Sequence, residues 1–115
     1  MKVTIYHNPR CSKSRQTLAL LEGKGIKPEI VEYLVTPPDR AQLSSILSLL
    51  NLKARDIMRK KEAVYKEKGL DDDALSEGQL IDAMIENPIL IERPIVLANG
   101  RAAIGRPPEN VLDIL

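Results

Sequence analysis

Cys11 is the only cysteine in the chain, and its neighbours place it where a thiol ionises readily. The segment reads VTIYHNPRCSKSRQTLALLEGKG: a short β-type run, a turn-forming HNPR, then a helical pattern starting at about the cysteine. A thiol at a helix N-terminus faces unpaired backbone N–H groups and the positive end of the helix dipole. Both favour the thiolate, so the pKa is expected to fall below the free value of about 8.5. Most free cysteines are small buried hydrophobes. Here His7, Asn8, Arg10, Ser12 and Ser14 surround the thiol with polar groups, which favours chemistry. The pattern is C-S-K-S, with Ser14 where a second redox cysteine would stand. A dithiol–disulfide cycle within the chain is therefore ruled out, and any covalent adduct must be resolved by an external thiol.

Other residues are candidates to act on that sulfur. His7 is the only histidine, and a protonated imidazole near Cys11 would stabilise the thiolate. The Ser14 hydroxyl offers a hydrogen bond to it. Each has an ordinary alternative, His7 as a satisfied turn residue and Ser14 as a first-turn helix residue. Arg93 precedes Pro94 and Arg106 precedes Pro107, at the two ends of a β-hairpin pattern that lie close in space, so their guanidinium groups could converge. Arg59 lies in the helical stretch between. Three arginines around a thiolate suit a tetrahedral oxyanion, through bidentate hydrogen bonds and stabilisation of developing charge. Arginines are also ordinary surface residues, and Lys60, Lys61, Lys66 and Lys68 read as a solvated helix face. Pro94 is a candidate cis-proline entering a strand, where a thioredoxin-type fold has one facing its thiol. No metal is expected, because one histidine and one cysteine do not supply the ligands zinc requires.

These residues need elements to position them. Residues 2–6 read as a strand, 11–25 as a helix stopped by EGKG, and 29–34 as a second strand. TPPD then opens a helix, with Thr36 as N-cap, Pro37 at the first position and Asp39 completing a capping box. Leu43, Ile46, Leu47 and Leu50 give that helix an apolar stripe. The charged stretch KARDIMRKKEAVYKEKGLDDD reads as one or two short helices ending near Gly69. Ser76 and Gln79 form another capping box, opening a helix with Leu80, Ala83 and Met84 inward and Pro88 at its end. Two β-runs flank Asn99-Gly100, the strongest short hairpin signal. A closing helix starts at Pro107, with Val111, Leu112 and Leu115 inward.

The order is β-α-β, a helical insertion over about 37–87, then β-β-α. That is the thioredoxin-type order, with the first two strands parallel and the hairpin antiparallel, although order alone leaves other α/β arrangements open. The 115 residues suffice for a single domain over 1–115, and 43% hydrophobic residues suffice for its core. With only three tyrosines as aromatics, that core must be mostly Leu, Ile and Val. A net charge of +1 argues against bulk electrostatic binding to nucleic acid or an anionic membrane. No apolar run approaches the roughly 20 residues of a membrane span, and MKVTIYHNP lacks the apolar core of a signal peptide. A lone cysteine suits a reducing compartment, so a cytoplasmic monomer is expected.

HNPRCSKSR after the first strand, the TPP helix start, IMRKKE, NPILIERPIV and the GRPPENVL ending resemble the ArsC family, particularly its short YfgD-type members. The resemblance spans essentially the whole chain. It implies a thioredoxin-like fold with a mixed four-stranded sheet and a helical insertion, and glutaredoxin-coupled arsenate reductase activity. It implies roles residue by residue: Cys11 as nucleophile, Arg59, Arg93 and Arg106 as oxyanion ligands, and His7 and Ser14 as support for the thiolate. No bound cofactor is implied. Glutathione enters as co-substrate, and glutaredoxin as the partner that removes it before arsenite leaves. The sequence departs from the family's reference enzymes at Arg10, Ser12 and Lys13, where those carry small or neutral side chains, and it stops at Leu115 where they continue. Two other functions fit parts of the pattern. One is an Spx-like redox-responsive regulator that binds RNA polymerase, although Ser14 replaces the second cysteine of its usual switch. The other is a glutathione-linked monothiol reductase.

Overall fold

A computed structural model describes residues 2–115, which form two compact units. One holds the chain up to Thr36 and again from Arg93 to Leu115; the other is Pro37–Glu92.

The first unit is a four-stranded mixed sheet in the order β2-β1-β3-β4. Strand β1 (Val3–His7) runs parallel to β2 (Glu29–Glu32) and antiparallel to β3 (Ile95–Ala98), which pairs antiparallel with β4 (Arg101–Ile104). Ile5 lies opposite both Ile30 and Val96 at the centre of the sheet. Helix α1 (Ser12–Gly23) links β1 to β2, giving the expected βαβ start. Val3, Ile5, Leu21, Val96, Ala98, Val111 and Ile114 form one buried cluster, so α1 and the C-terminal segment cover the same core. Full burial of each Ile or Val contributes roughly 1.5–3 kcal/mol. At the β3–β4 turn Asn99 and Gly100 have φ of 55° and 69°, the double positive φ that an Asn-Gly hairpin supplies.

Three local expectations are corrected. The second strand ends at Glu32 rather than 34, and a turn follows in which the Val35 and Thr36 N–H groups donate to the Glu32 carbonyl. The next helix, α2 (Arg40–Leu50), is capped by Asp39 and not by Thr36. The Gln42 N–H donates to Asp39 Oδ1 at 2.7 Å and the Asp39 N–H to Gln42 Oε1 at 2.9 Å. Pro38 explains the delay, because a proline disfavours helical backbone in the residue before it. The closing helix is a 3₁₀ segment, Pro108–Ile114. Its buried residues are Pro108, Val111 and Ile114, a spacing of three that matches the three residues per turn of 3₁₀ geometry.

The second unit is helical. Between α2 and α4 (Glu77–Glu86) lie a 3₁₀ turn at Ala54–Ile57 and the short α3 (Ala63–Glu67). Ser76 caps α4 through the expected box with Gln79. Helix α4 packs on α2 and on the 3₁₀ turn, and Leu43, Ile46, Leu47, Ile57, Leu80, Met84 and Leu90 are buried.

Candidate active site

Among the described residues the buried polar side chains are His7, Asn8, Ser14, Thr17 and Arg93. All belong to the β1–α1 segment or to the entrance of β3. Buried polar groups are the informative exceptions in a fold, and these lie on the two segments that carry Cys11 and Arg93.

The turn between β1 and α1 is held from inside. The Cys11 N–H donates to the Asn8 carbonyl at 3.0 Å, and the Arg10 N–H to Asn8 Oδ1 at 3.0 Å. Arg15 reaches back from α1, donating through Nη1 to the Pro9 carbonyl at 2.9 Å. Cys11 becomes the N-cap residue of α1, with extended backbone (φ −93°, ψ 123°). Its carbonyl accepts the first helical bond, from the Arg15 N–H at 3.0 Å. The sulfur therefore faces the free N–H groups of the first turn.

Burial pushes the Cys11 thiol up, but the combined opposing influences are stronger. In order, these are the Ser14 backbone N–H, the Arg106 guanidinium, the Lys13 backbone N–H and the charge of Arg93. The pKa ends below its ordinary value, and the thiol is only partly buried. Arg106 Nη1 donates to Cys11 Sγ at 3.7 Å and to the Arg93 carbonyl at 3.1 Å. The Gly105 N–H donates to the Pro94 carbonyl at 2.9 Å, so the two ends of the hairpin meet beside the thiol. The Arg93–Pro94 and Arg106–Pro107 peptide bonds are both cis.

His7 and Ser14 act differently from the sequence expectation. His7 Nδ1 lies 2.6 Å from Ser14 Oγ, which also accepts the Asn8 N–H at 3.0 Å. Burial lowers the His7 pKa, Glu32 opposes that, and Arg15 adds to it, for a net lowering. The imidazole is thus favoured neutral near pH 7, since the unperturbed value is about 6.5. It acts on Ser14 rather than as a cation beside the sulfur. Ser14 in turn supports the thiolate through its backbone N–H, while its hydroxyl is engaged by His7 and Asn8.

Arg59 belongs to the Pro37–Glu92 unit, where Nε donates to Glu62 at 3.3 Å and Nη1 to Glu92 at 3.0 Å. The structure thus brings together Cys11, Ser14, His7, Arg93 and Arg106, and pairs Arg59 with two carboxylates. Sequence reading missed Thr17 and Gly105. Thr17 is fully buried on the inward face of α1 with Ser14 and Leu21; a polar residue on that face was the available signal. Residues 7–10 also line a cleft of about 300 Å³ with Glu32, Leu34 and Val35. The described residues hold no cluster of three or more metal-ligating side chains, and none of their helices is long and apolar enough to cross a membrane.

Fold and site together define a thioredoxin-like protein with one cysteine thiol facing two arginines. The chain belongs to the ArsC family, whose sequence model matches residues 6–114. It is 59% identical over 115 residues to the protein YfgD of Escherichia coli (strain K12), covering 99% of this chain and 97% of that one. It is 53% identical over 115 residues to an arsenate reductase of Neisseria meningitidis (serogroup A), covering 99% and 98%. Among solved structures, the arsenate reductase from Vibrio cholerae matches with a TM-score of 0.97 at 55% identity, covering 100% of this chain and 98% of that chain.

Proposed function

We propose that this protein is an arsenate reductase that uses Cys11 as nucleophile and external thiols as reductant. The observation that carries the reading is the Arg106 Nη1 to Cys11 Sγ contact of 3.7 Å at the start of α1. It puts a bidentate anion donor beside a thiol that is already biased toward the thiolate. The names of relatives aligned over nearly the whole chain support the same substrate.

In the proposed reaction the thiolate attacks arsenic(V), an Sγ–As bond forms, and one arsenate oxygen leaves as water. Arg93 and Arg106 stabilise the remaining oxyanion charge. The glutathione thiol displaces a second oxygen and becomes bound to arsenic. A glutaredoxin thiolate then attacks the glutathione sulfur. The new S–S bond is the oxidised product, and the S–As electron pair stays on arsenic, reducing it to arsenic(III). Water releases arsenite from Cys11. The cleft with Arg10 and Glu32 on its wall offers opposite charges to a zwitterionic thiol such as glutathione. Arg59 commits two of its donors to Glu62 and Glu92, so its part in oxyanion binding rests on the family resemblance alone. A thiolate without an internal disulfide partner suits a reducing compartment, and we place the protein in the cytoplasm.

The test is arsenite formation from arsenate with glutathione and glutaredoxin, comparing wild type with Cys11→Ser. Turnover by the wild type and none by the variant is expected. Absence of arsenate-dependent turnover in the wild type would sink the substrate assignment.

A further inference from the structure

Gly105 joins the end of β4 to Arg106 at a seam with no spare volume. A Cβ at this position would fall 2.5 Å from Thr17 Oγ1, 2.9 Å from Pro94 Cγ and 3.0 Å from Thr17 Cγ2. Carbon atoms pack best at about 3.5–4.0 Å, so the added methyl needs roughly 1 Å of relief. The backbone of Gly105 lies outside the left-handed region. Close approach alone, not conformation, therefore demands glycine here.

Both walls of the seam are firm. Thr17 is fully buried, and its hydroxyl donates to the Lys13 carbonyl at 2.8 Å, with the Gly105 carbonyl 3.4 Å away. On the other side the Gly105 N–H is bound to the Pro94 carbonyl at 2.9 Å. Each wall also leads directly to the sulfur. Thr17 stands one turn beyond Lys13 and Ser14, whose N–H groups face the thiol. Gly105 immediately precedes Arg106, whose Nη1 reaches Sγ at 3.7 Å. At 3.7 Å that contact is already long for a hydrogen bond to sulfur, so a small shift of the Arg106 backbone is enough to weaken it.

We propose that Gly105, seated against Thr17, is a positioning residue that sets the distance between the Cys11 sulfur and the Arg106 guanidinium. The thiol part of this inference stands alone, and its substrate part rests on the oxyanion reading above. Gly105→Ala overfills the seam from the hairpin side, and Thr17→Ile overfills it from the helix side. The double variant Gly105→Ala/Thr17→Ala removes both Thr17 atoms that crowd the new methyl and leaves Pro94 Cγ, at 2.9 Å, as its one tight neighbour.

The measurements are the pH profile of Cys11 alkylation by iodoacetamide, KM and kcat for arsenate with glutathione and glutaredoxin, and thermal unfolding. Both overfilled variants should raise the thiol pKa by about half a unit or more. They should raise the arsenate KM about tenfold, as for a weakened charge-assisted hydrogen bond, with kcat changed less. The double variant should return the pKa toward wild type, whereas two purely destabilising changes would add. A folded Gly105→Ala or Thr17→Ile protein with wild-type thiol pKa and KM overturns the proposal. If neither overfilled variant folds, the double variant decides: a folded protein with wild-type reactivity supports the proposal, and one with a raised pKa overturns it. A wild type that ignores arsenate counts against the oxyanion reading, and the alkylation profiles still decide the role of Gly105.

Discussion

At the residue scale the thiolate is stabilised by groups of two kinds, the helix N–H groups of Lys13 and Ser14 and the charges of Arg106 and Arg93. They are separable by experiment. Arg106→Ala leaves the α1 N-terminus intact, so the Cys11 alkylation midpoint should rise but stay below that of the unfolded protein. An unchanged midpoint would mean that Arg106 contributes nothing and that the helix terminus and Arg93 stabilise the thiolate. His7 makes a second prediction through stability. Its folded pKa lies below the unfolded value of about 6.5, so the unfolded state binds its proton first as pH falls. The contribution of neutral His7 is full above about 6.5 and is lost as pH drops through that value toward the folded pKa. With one histidine in the chain, His7→Asn should flatten the decline in Tm between about pH 7 and 5. An equal decline in both proteins would refute the buried neutral imidazole.

At the element scale, helix boundaries follow from caps and prolines more than from periodicity. Asp39 closes the box on α2, and Thr36 lies outside it. Asp39→Ala should cost about 1 kcal/mol, while Thr36→Ala should cost little, as read by urea unfolding. The reverse ranking would restore the cap to Thr36. Ser76 and Gln79 were legible because no proline precedes that box, whereas the two prolines after Thr36 shift the start of α2. The C-terminal segment misled for another reason. PENVLDI carries apolar groups at a spacing of three and at a spacing of four, and packing of Pro108, Val111 and Ile114 selects the first.

At the scale of the whole molecule, one cysteine in 115 residues divides the proposed redox cycle between this protein and its thiol partners. In that proposal the chain supplies the nucleophile and the oxyanion ligands, and the electrons come from outside. Wild type mixed with arsenate alone should therefore release no catalytic arsenite. Glutathione should add a Cys11-linked adduct visible by intact mass, and steady turnover should begin when glutaredoxin is added. Multiple turnovers without any external thiol would contradict the single-thiol scheme, because the chain has no second thiol to form a disulfide with Cys11.

The sequence by itself determined the element order, the parallel pairing of the first two strands, the antiparallel hairpin with its Asn-Gly turn and the thiol at a helix start. All of these depend on local propensity and on residues close in sequence. Tertiary structure decided which groups meet the sulfur. Arg106 is 95 positions from Cys11 and Gly105 is 88 from Thr17, and no local pattern encodes such contacts. The state of His7 was decided the same way, since burial rather than residue type sets its protonation. The glycine at 105 shows the difference most simply: nothing in its own backbone requires it, and only the side chains packed against it, Thr17 and Pro94, do.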